Sequence, residues 1–164
     1  MKKKSFEPIV GTQPTVMLLG SLPGEKSLEI QQYYGFKQNR FWKIMFKFFN
    51  QEFSEDYQIR INLIQTNPII LWDVAHSANR NGSLDSAILE EEPNAIEALL
   101  EKHPSIQLII FNGKKAEQMF NRFFKSKKHI NYIVLPSTSP ANASYSFEKL
   151  FKLWDEVLSP YLKL

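Results

Sequence analysis

Four short apolar runs decide what this chain can fold into: residues 15–19, 69–72, 106–111 and 131–135. Between them the apolar residues recur at helical rather than alternating spacing. Phe41, Ile44, Met45 and Phe48 mark a helix over about 39–50, and Tyr57, Ile61 and Leu63 or Ile64 a second over 55–65, stopped by Asn67-Pro68. Pro93 opens a third with Ile96, Leu99 and Leu100. Asn112-Gly113 turns into a fourth carrying Ala116, Met119, Phe120, Phe123 and Phe124. The last holds a stripe from Phe147 through Leu150, Phe151, Trp154, Val157 and Leu158 to Tyr161. Strands alternating with helices predict a three-layer α/β/α fold around a central, mainly parallel four-stranded sheet covered on both faces. At 164 residues one domain suffices. Its first 14 residues form an arm, punctuated by Pro8, Gly11 and Pro14, that tucks Phe6 and Ile9 against the body.

The strand ends carry the chemistry. The first strand hands over to Gly20-Ser21-Leu22-Pro23-Gly24-Glu25-Lys26-Ser27, two glycines flanking a proline, which mark a tight loop that exposes its backbone. An aromatic and amide-bearing segment follows, from Gln32-Tyr33-Tyr34-Gly35-Phe36 to Asn39-Arg40-Phe41-Trp42. Asn39 sits near a helix N-terminus, where an asparagine caps the helix and free amides point outward. Asp73 ends the second strand, where open α/β sheets keep their ligand-facing groups; a helix cap or an ion pair to Arg80 is the plain alternative. A polar, turn-rich loop over 76–86 adds lining, and Leu135-Pro136-Ser137-Thr138-Ser139-Pro140-Ala141-Asn142 forms a late loop stiffened by two prolines. Flat rings, hydroxyls and one carboxamide suit a flat, neutral, hydrogen-bonding ligand.

Composition excludes more than it proves. The chain has no cysteine, which rules out disulfides, iron–sulfur clusters and thiolate zinc sites. His76, His103 and His129 lie too far apart for a metal-binding interval, so neither metal nor cofactor is expected. A net charge of +3 permits a polyanionic partner without demanding one. Lys114, Lys115 and a cluster from Arg122 to Lys128 are candidates to hold it, though charge runs are usually solvated faces. Met1-Lys2-Lys3-Lys4 lacks the apolar core of a signal peptide after it, and no apolar run approaches the ~20 residues of a membrane span. A cytoplasmic monomer that does not engage membranes is the expectation.

The three loops together resemble the uracil-DNA glycosylase superfamily, most closely its hypoxanthine-DNA (deoxyinosine) glycosylase branch, with the mismatch-specific uracil/thymine glycosylases next. Gly20 to Gly24 is similar to the family's first motif, Gln32 to Trp42 to its tyrosine-rich loop ending in Asn-x-Phe-Trp, and Leu135 to Asn142 to its late loop. The likeness spans nearly all of the chain, from Phe6 to Leu158. It implies a uracil-DNA glycosylase-like fold and a monofunctional enzyme that flips a deaminated base out of DNA and hydrolyses its N-glycosidic bond. Hypoxanthine comes first, then uracil or a base mismatched with guanine.

The resemblance distributes the roles. Better-known branches place an Asp or Asn inside the first motif to position the attacking water; this chain has Ser21 and Leu22 there. That moves the catalytic role to Asn39, whose carbonyl can hold a water. Tyr34 aligns with the aromatic that stacks on the flipped base, with Tyr33 and Phe36 as near alternatives and Phe41 and Trp42 left to the core. Asp73 stands where uracil-specific relatives read the base with an asparagine; ionised it accepts from a purine N1–H, protonated it donates to a carbonyl. Gly20 and Ser21 complete the base pocket. Pro23, Gly24, Ser137, Thr138, Ser139, Pro140 and Asn142 are expected to meet the DNA. The late-loop histidine of other branches is absent, so backbone amides or water must serve the leaving group. Two rivals remain: a non-catalytic nucleic-acid-binding module on the same fold, and an esterase using Ser21 or Ser27, which lacks a Gly-x-Ser-x-Gly elbow.

Overall fold

Every residue of β3 (Val16–Gly20), β4 (Ile69–Asp73) and β7 (Leu108–Asn112) is buried. That is the burial pattern of strands covered on both faces, and it explains why their sequences read as unbroken apolar runs. The computed structural model describes residues 2–163. Its main sheet runs in the order β2-β4-β3-β7-β8, where β2 is Ile9–Val10 and β8 is Asn131–Leu135. The four long strands are parallel, as expected. A fifth member is a correction: β2, from the arm, pairs antiparallel with β4 through Ile9 and Leu71.

The chain moves from β3 outward to β4 on one side and through β7 to β8 on the other. Right-handed crossovers in opposite directions put their helices on opposite faces, and order reverses between β3 and β7. Ligands of open sheets bind outside the carboxyl ends of strands at such a point, here beyond Gly20 and Asn112.

Six helices dress the sheet: α1 (Glu25–Ile30), α2 (Phe41–Phe48), α3 (Tyr57–Gln65), α4 (Ile96–Lys102), α5 (Lys114–Phe123) and α6 (Phe147–Leu162). In α2 only Lys43 and Lys47 face out, while Phe41, Trp42, Ile44, Met45, Phe46 and Phe48 are buried. Leu150, Trp154 and Leu158 repeat every fourth residue along α6 and are buried, with Trp154 edge-on to Phe41 at 6.2 Å. The arm packs as expected: Ile9 is buried, and the Phe6 carbonyl accepts from Trp72 Nε1 at 2.9 Å.

A second sheet was not anticipated. β1 (Lys2–Lys4), β5 (Ala75–Asn79) and β6 (Leu89–Pro93) form a three-stranded antiparallel unit in the order β1-β5-β6. The first half of the polar 76–86 loop is therefore a strand. Pro93 closes β6 rather than opening a helix, which begins at Ile96. These strands escaped notice because β6 is Leu-Glu-Glu-Glu-Pro, and β1 and β6 show no fully buried residue. Among the described residues no helix is long and apolar enough to cross a membrane.

Candidate active site

A cleft of about 610 Å³ opens at the carboxyl ends of β3, β4 and β7. Its floor is set by the parallel register that puts Gly20 beside Asp73. A Cβ on Gly20 would lie 2.6 Å from Asp73 Oδ1 and 2.8 Å from the Tyr34 hydroxyl, so only glycine lets these two groups meet over the strand end. Tyr34 reaches this position with a left-handed backbone, φ 50°, uncommon for an aromatic residue. One face of its ring stacks on Phe41 at 4.2 Å. Asn112, at the end of β7, donates to the Tyr34 hydroxyl at 3.2 Å and to Thr138 Oγ1 at 2.9 Å, and its carbonyl accepts from the Thr138 N–H at 2.9 Å.

Asp73 is 4% exposed, and its Oδ2 accepts from Ser5 Oγ at 3.0 Å. Burial pushes its carboxyl up to about 7; the Ser5 hydrogen bond pulls the other way, while Asp85 raises it and Arg80 lowers it. Near neutral pH this group is therefore poised between donor and acceptor. Burial, reinforced by the charge of Asp73, also raises the Tyr34 phenol, so that group stays a neutral hydroxyl. No ion pair joins Asp73 to Arg80 among the described residues; the Arg80 guanidinium donates to the Pro23 carbonyl instead.

One wall is the Gly20 to Gly24 loop, and the chain between β5 and β6 is tied to it. Ser21 Oγ donates to Asp85 Oδ1 at 2.6 Å, and the Glu25 N–H donates to Ser83 Oγ at 2.8 Å. Together with the Arg80 contact these are three tethers between segments far apart in sequence. The facing wall is the late loop, held by one arginine. Arg40 donates through its guanidinium to the carbonyls of Tyr145 at 2.5 Å, Ser139 at 2.9 Å, Asn142 at 3.0 Å and Thr138 at 3.4 Å.

Most of the expected site residues line this one cleft: Gly20, Ser21, Pro23, Gly24, Tyr34, Phe36, Asn39, Asp73, Ser137, Thr138, Ser139, Pro140 and Asn142. Their positions refine their parts. Asn39 Oδ1 accepts from the Phe41 N–H at 2.9 Å, so it does cap the start of α2, and the oxygen keeps a second lone pair for a ligand. Phe36 stands at the mouth, 45% exposed, and Leu84 opposite it is 59% exposed. Tyr33 is in the core, edge-on to Phe6, its hydroxyl donating to the Glu7 carbonyl at 2.8 Å. Thr138 is fully buried with its hydroxyl engaged by Asn112, so it locks the loop rather than reaching outward. The Ser137 and Ser139 hydroxyls accept from the N–H groups of Ser139 and Ala141 and remain able to donate.

Asn112, Asp85, Ser5, Arg40 and Arg80 were not singled out as site residues from sequence. Asn112 obeys the rule that pointed to Asp73, a polar residue at the carboxyl end of an apolar strand. Arg80 and Asp85 lie in the 76–86 loop expected to add lining, whose 83–86 stretch does line the cleft, whereas Ser5 reaches the site through the small sheet, which carried no signal. The basic residues of α5 are partly spent: Lys115 and Arg122 each sit 2.8 Å from Glu91. Lys114 remains on an adjoining groove of about 830 Å³ that shares Ser137 and Asn142 with the cleft. His76 is exposed and faces Asn94 at 3.3 Å. Among the described residues no cluster of three or more metal-ligating side chains exists.

A family model described as the uracil DNA glycosylase superfamily matches residues 8–159. A protein from Methanosarcina barkeri named hypoxanthine DNA glycosylase is 33% identical over 150 residues, covering 91% of this chain and 94% of the relative. A Methanosarcina acetivorans protein of the same name is 35% identical over 147 residues, covering 89% and 92%. Among solved structures, the solution NMR structure of a candidate uracil DNA glycosylase from Methanosarcina acetivorans superposes with a TM-score of 0.78 at 34% identity, covering 96% of each chain.

Proposed function

Because the chain belongs to the uracil-DNA glycosylase superfamily, we propose that the cleft receives a deaminated base flipped out of DNA, hypoxanthine first, and that water replaces it on the sugar. The chain is a DNA glycosylase. The observation that carries the choice of base is the meeting of Asp73, Tyr34 and Gly20 at the floor. It is a flat slot ending in one carboxyl whose proton is held near neutrality. Ionised, Asp73 accepts from the N1–H of hypoxanthine; protonated, it donates to a ring acceptor.

Extrusion costs a few kcal/mol of stacking and pairing. The open face of Tyr34, with Phe36 at the mouth, returns part of that through stacking, roughly 1–3 kcal/mol per base. Asn39 holds the attacking water with the lone pair its capping bond leaves free; positioning alone contributes several kcal/mol. Ser137, Ser139 and Asn142 meet the sugar–phosphate backbone, positioning the strand without reading its sequence. Hydrolysis by water without a Schiff base, and hence without strand cleavage, is the course this reading expects. A single domain working as a monomer on cytoplasmic, nucleoid DNA, without metal or cofactor, completes the reading.

The test is excision, in EDTA, from end-labelled duplexes carrying hypoxanthine, uracil, xanthine or a G·T mismatch, followed by hot alkali. Alkali-dependent cutting of the hypoxanthine strand, lost in Asn39→Ala, is the expected result. Cutting at uracil alone would move the substrate to the runner-up. Binding with no cutting of any duplex would overturn the enzymatic reading in favour of a binding module.

A further inference from the structure

We infer that Asp85 is a second catalytic residue, supplying from the loop between β5 and β6 the carboxylate that the first-motif loop lacks. The inference rests on the glycosylase reading of the same cleft. Hydrolysis of an N-glycoside passes through a sugar with oxocarbenium character, which a nearby anion stabilises far better than a neutral amide. Asn39 can orient a water but cannot take its proton at neutral pH.

Three carboxylates line the cleft: Glu25, Asp73 and Asp85. Glu25 is exposed in the first turn of α1. Asp73 lies on the floor with Oδ2 occupied by Ser5, and burial favours its neutral form. Asp85 is half-buried on the wall, and Ser21 donates to its Oδ1 at 2.6 Å. Its carboxylate therefore stands against the loop whose relatives carry the water-positioning group, although 64 residues separate it from Ser21. The neighbouring Ser83 and Arg80 tethers fix the loop to the chain around Pro23 and Glu25, so the charge is held in place before substrate arrives.

The water oxygen bonds to C1′ while the C1′–N bond breaks, its electron pair leaving on the base. The water proton passes to Asp85 Oδ2 and then to solvent, and the base anion takes a proton from solvent. The products are the free base and an abasic sugar.

Asp85→Asn keeps an acceptor for Ser21 and removes the charge, so it is the deciding variant. Single-turnover excision from a hypoxanthine duplex is followed across pH, alongside affinity for a duplex carrying the abasic product. The expected result is a rate at least about 100-fold lower, within the usual range for a lost general base. Affinity should change less than about threefold, and Asp85→Glu should restore part of the rate. Ser21→Ala, which loosens the carboxylate without removing it, should cost about 3–10-fold. The inference is overturned if Asp85→Asn stays within about threefold of wild type, or if rate and affinity fall together. Should Asp85→Asn fail to fold, by circular dichroism, Asp85→Glu decides in its place, with an unchanged rate counting against. An inactive wild-type protein would sink the glycosylase reading and this inference with it, an outcome distinct from an active protein indifferent to Asp85.

Discussion

The two sheets differ in almost every respect and yet share the active site. In the main sheet β3, β4 and β7 are buried residue for residue, which fixes their register and makes the strand ends a rigid platform. In the small sheet β1 and β6 are largely exposed, and β6 is an edge strand defended by three glutamates, a proline and a left-handed residue at Glu90, φ 56°. They join at Val74, whose N–H donates to the Gly20 carbonyl at 2.8 Å. The main sheet offers Gly20, Asp73 and Asn112; the small sheet returns Ser5, Arg80 and Asp85 to those strand ends. A buried sheet sets where the base can sit, and a solvent-facing one adjusts the charge around it.

The hardest way to break that division is to fill the floor. Gly20→Ala drives a methyl to 2.6 Å from Asp73 Oδ1 and 2.8 Å from the Tyr34 hydroxyl, so the buried carboxyl and the half-buried ring must both shift on the floor of the cleft. Stability should fall by about 1–3 kcal/mol and excision by about 1000-fold, measured by thermal melts and single-turnover kinetics. A variant within tenfold of wild type would show that the floor is pliable.

Asp73→Asn tests the platform's one titrating group. The folded carboxyl titrates at about 7 against an ordinary 3.8, so between those values the folded protein holds more proton than the unfolded chain. Stability therefore falls as pH rises from about 4 to 7, by up to about 4 kcal/mol, and is level above that. The variant should melt above wild type at pH 8, and its melting temperature should vary less between pH 4 and 7. It should also shift excision from hypoxanthine toward uracil, since an amide presents a donor and an acceptor at once. A wild-type melting temperature rising from pH 4 to 7 while the variant's stays level would refute the assignment.

Arg40→Ala removes the clamp on the late loop, which belongs to neither sheet. Four carbonyls lose a charged donor, and the expected loss is about 2–3 kcal/mol of stability with roughly tenfold weaker duplex binding. Arg40→Lys should rescue little, because an ammonium cannot span the fork. Binding and excision titrations should show KM rising more than kcat falls.

The same contrast explains what the sequence disclosed. β3, β4 and β7 were legible because burial on both faces demands uninterrupted apolar residues, and the partly buried β8 was legible from its Tyr-Ile-Val-Leu run, with 131–135 keeping the same bounds in the structure. Asp73, Tyr34 and Asn39 were legible because each stands at a strand end or in a loop with the family's pattern. The small sheet was silent: its edge strands β1 and β6 are largely exposed and need no apolar face, its buried strand β5 packs small residues such as Ala75, Ser77 and Ala78, and Leu-Glu-Glu-Glu-Pro reads as a surface run. The 76–86 loop was legible as lining, but the contacts that Asp85, Arg80 and Ser5 make there came only through tertiary pairing, and Arg40 looked like any surface arginine until its four carbonyls were in view.

The finest test sits where the small sheet touches the platform. Ser5 follows β1, its N–H donates to the His76 carbonyl at 2.8 Å, and its hydroxyl is the one side-chain donor that holds the Asp73 carboxyl down against burial. In Ser5→Ala that restraint goes, so Asp73 should titrate higher still and lose more stability when ionised. The sign fixes the window. Below about pH 3 the carboxyl is largely protonated in folded and unfolded chains alike, so wild type and variant should melt nearly together. At pH 8 the variant should be less stable by about 1.5–3 kcal/mol, one hydrogen bond to a charged acceptor. Melts at the two pH values decide it: an equal loss at both would make Ser5 a packing residue, whereas a loss confined to high pH makes the small sheet a tuner of the base-reading acid.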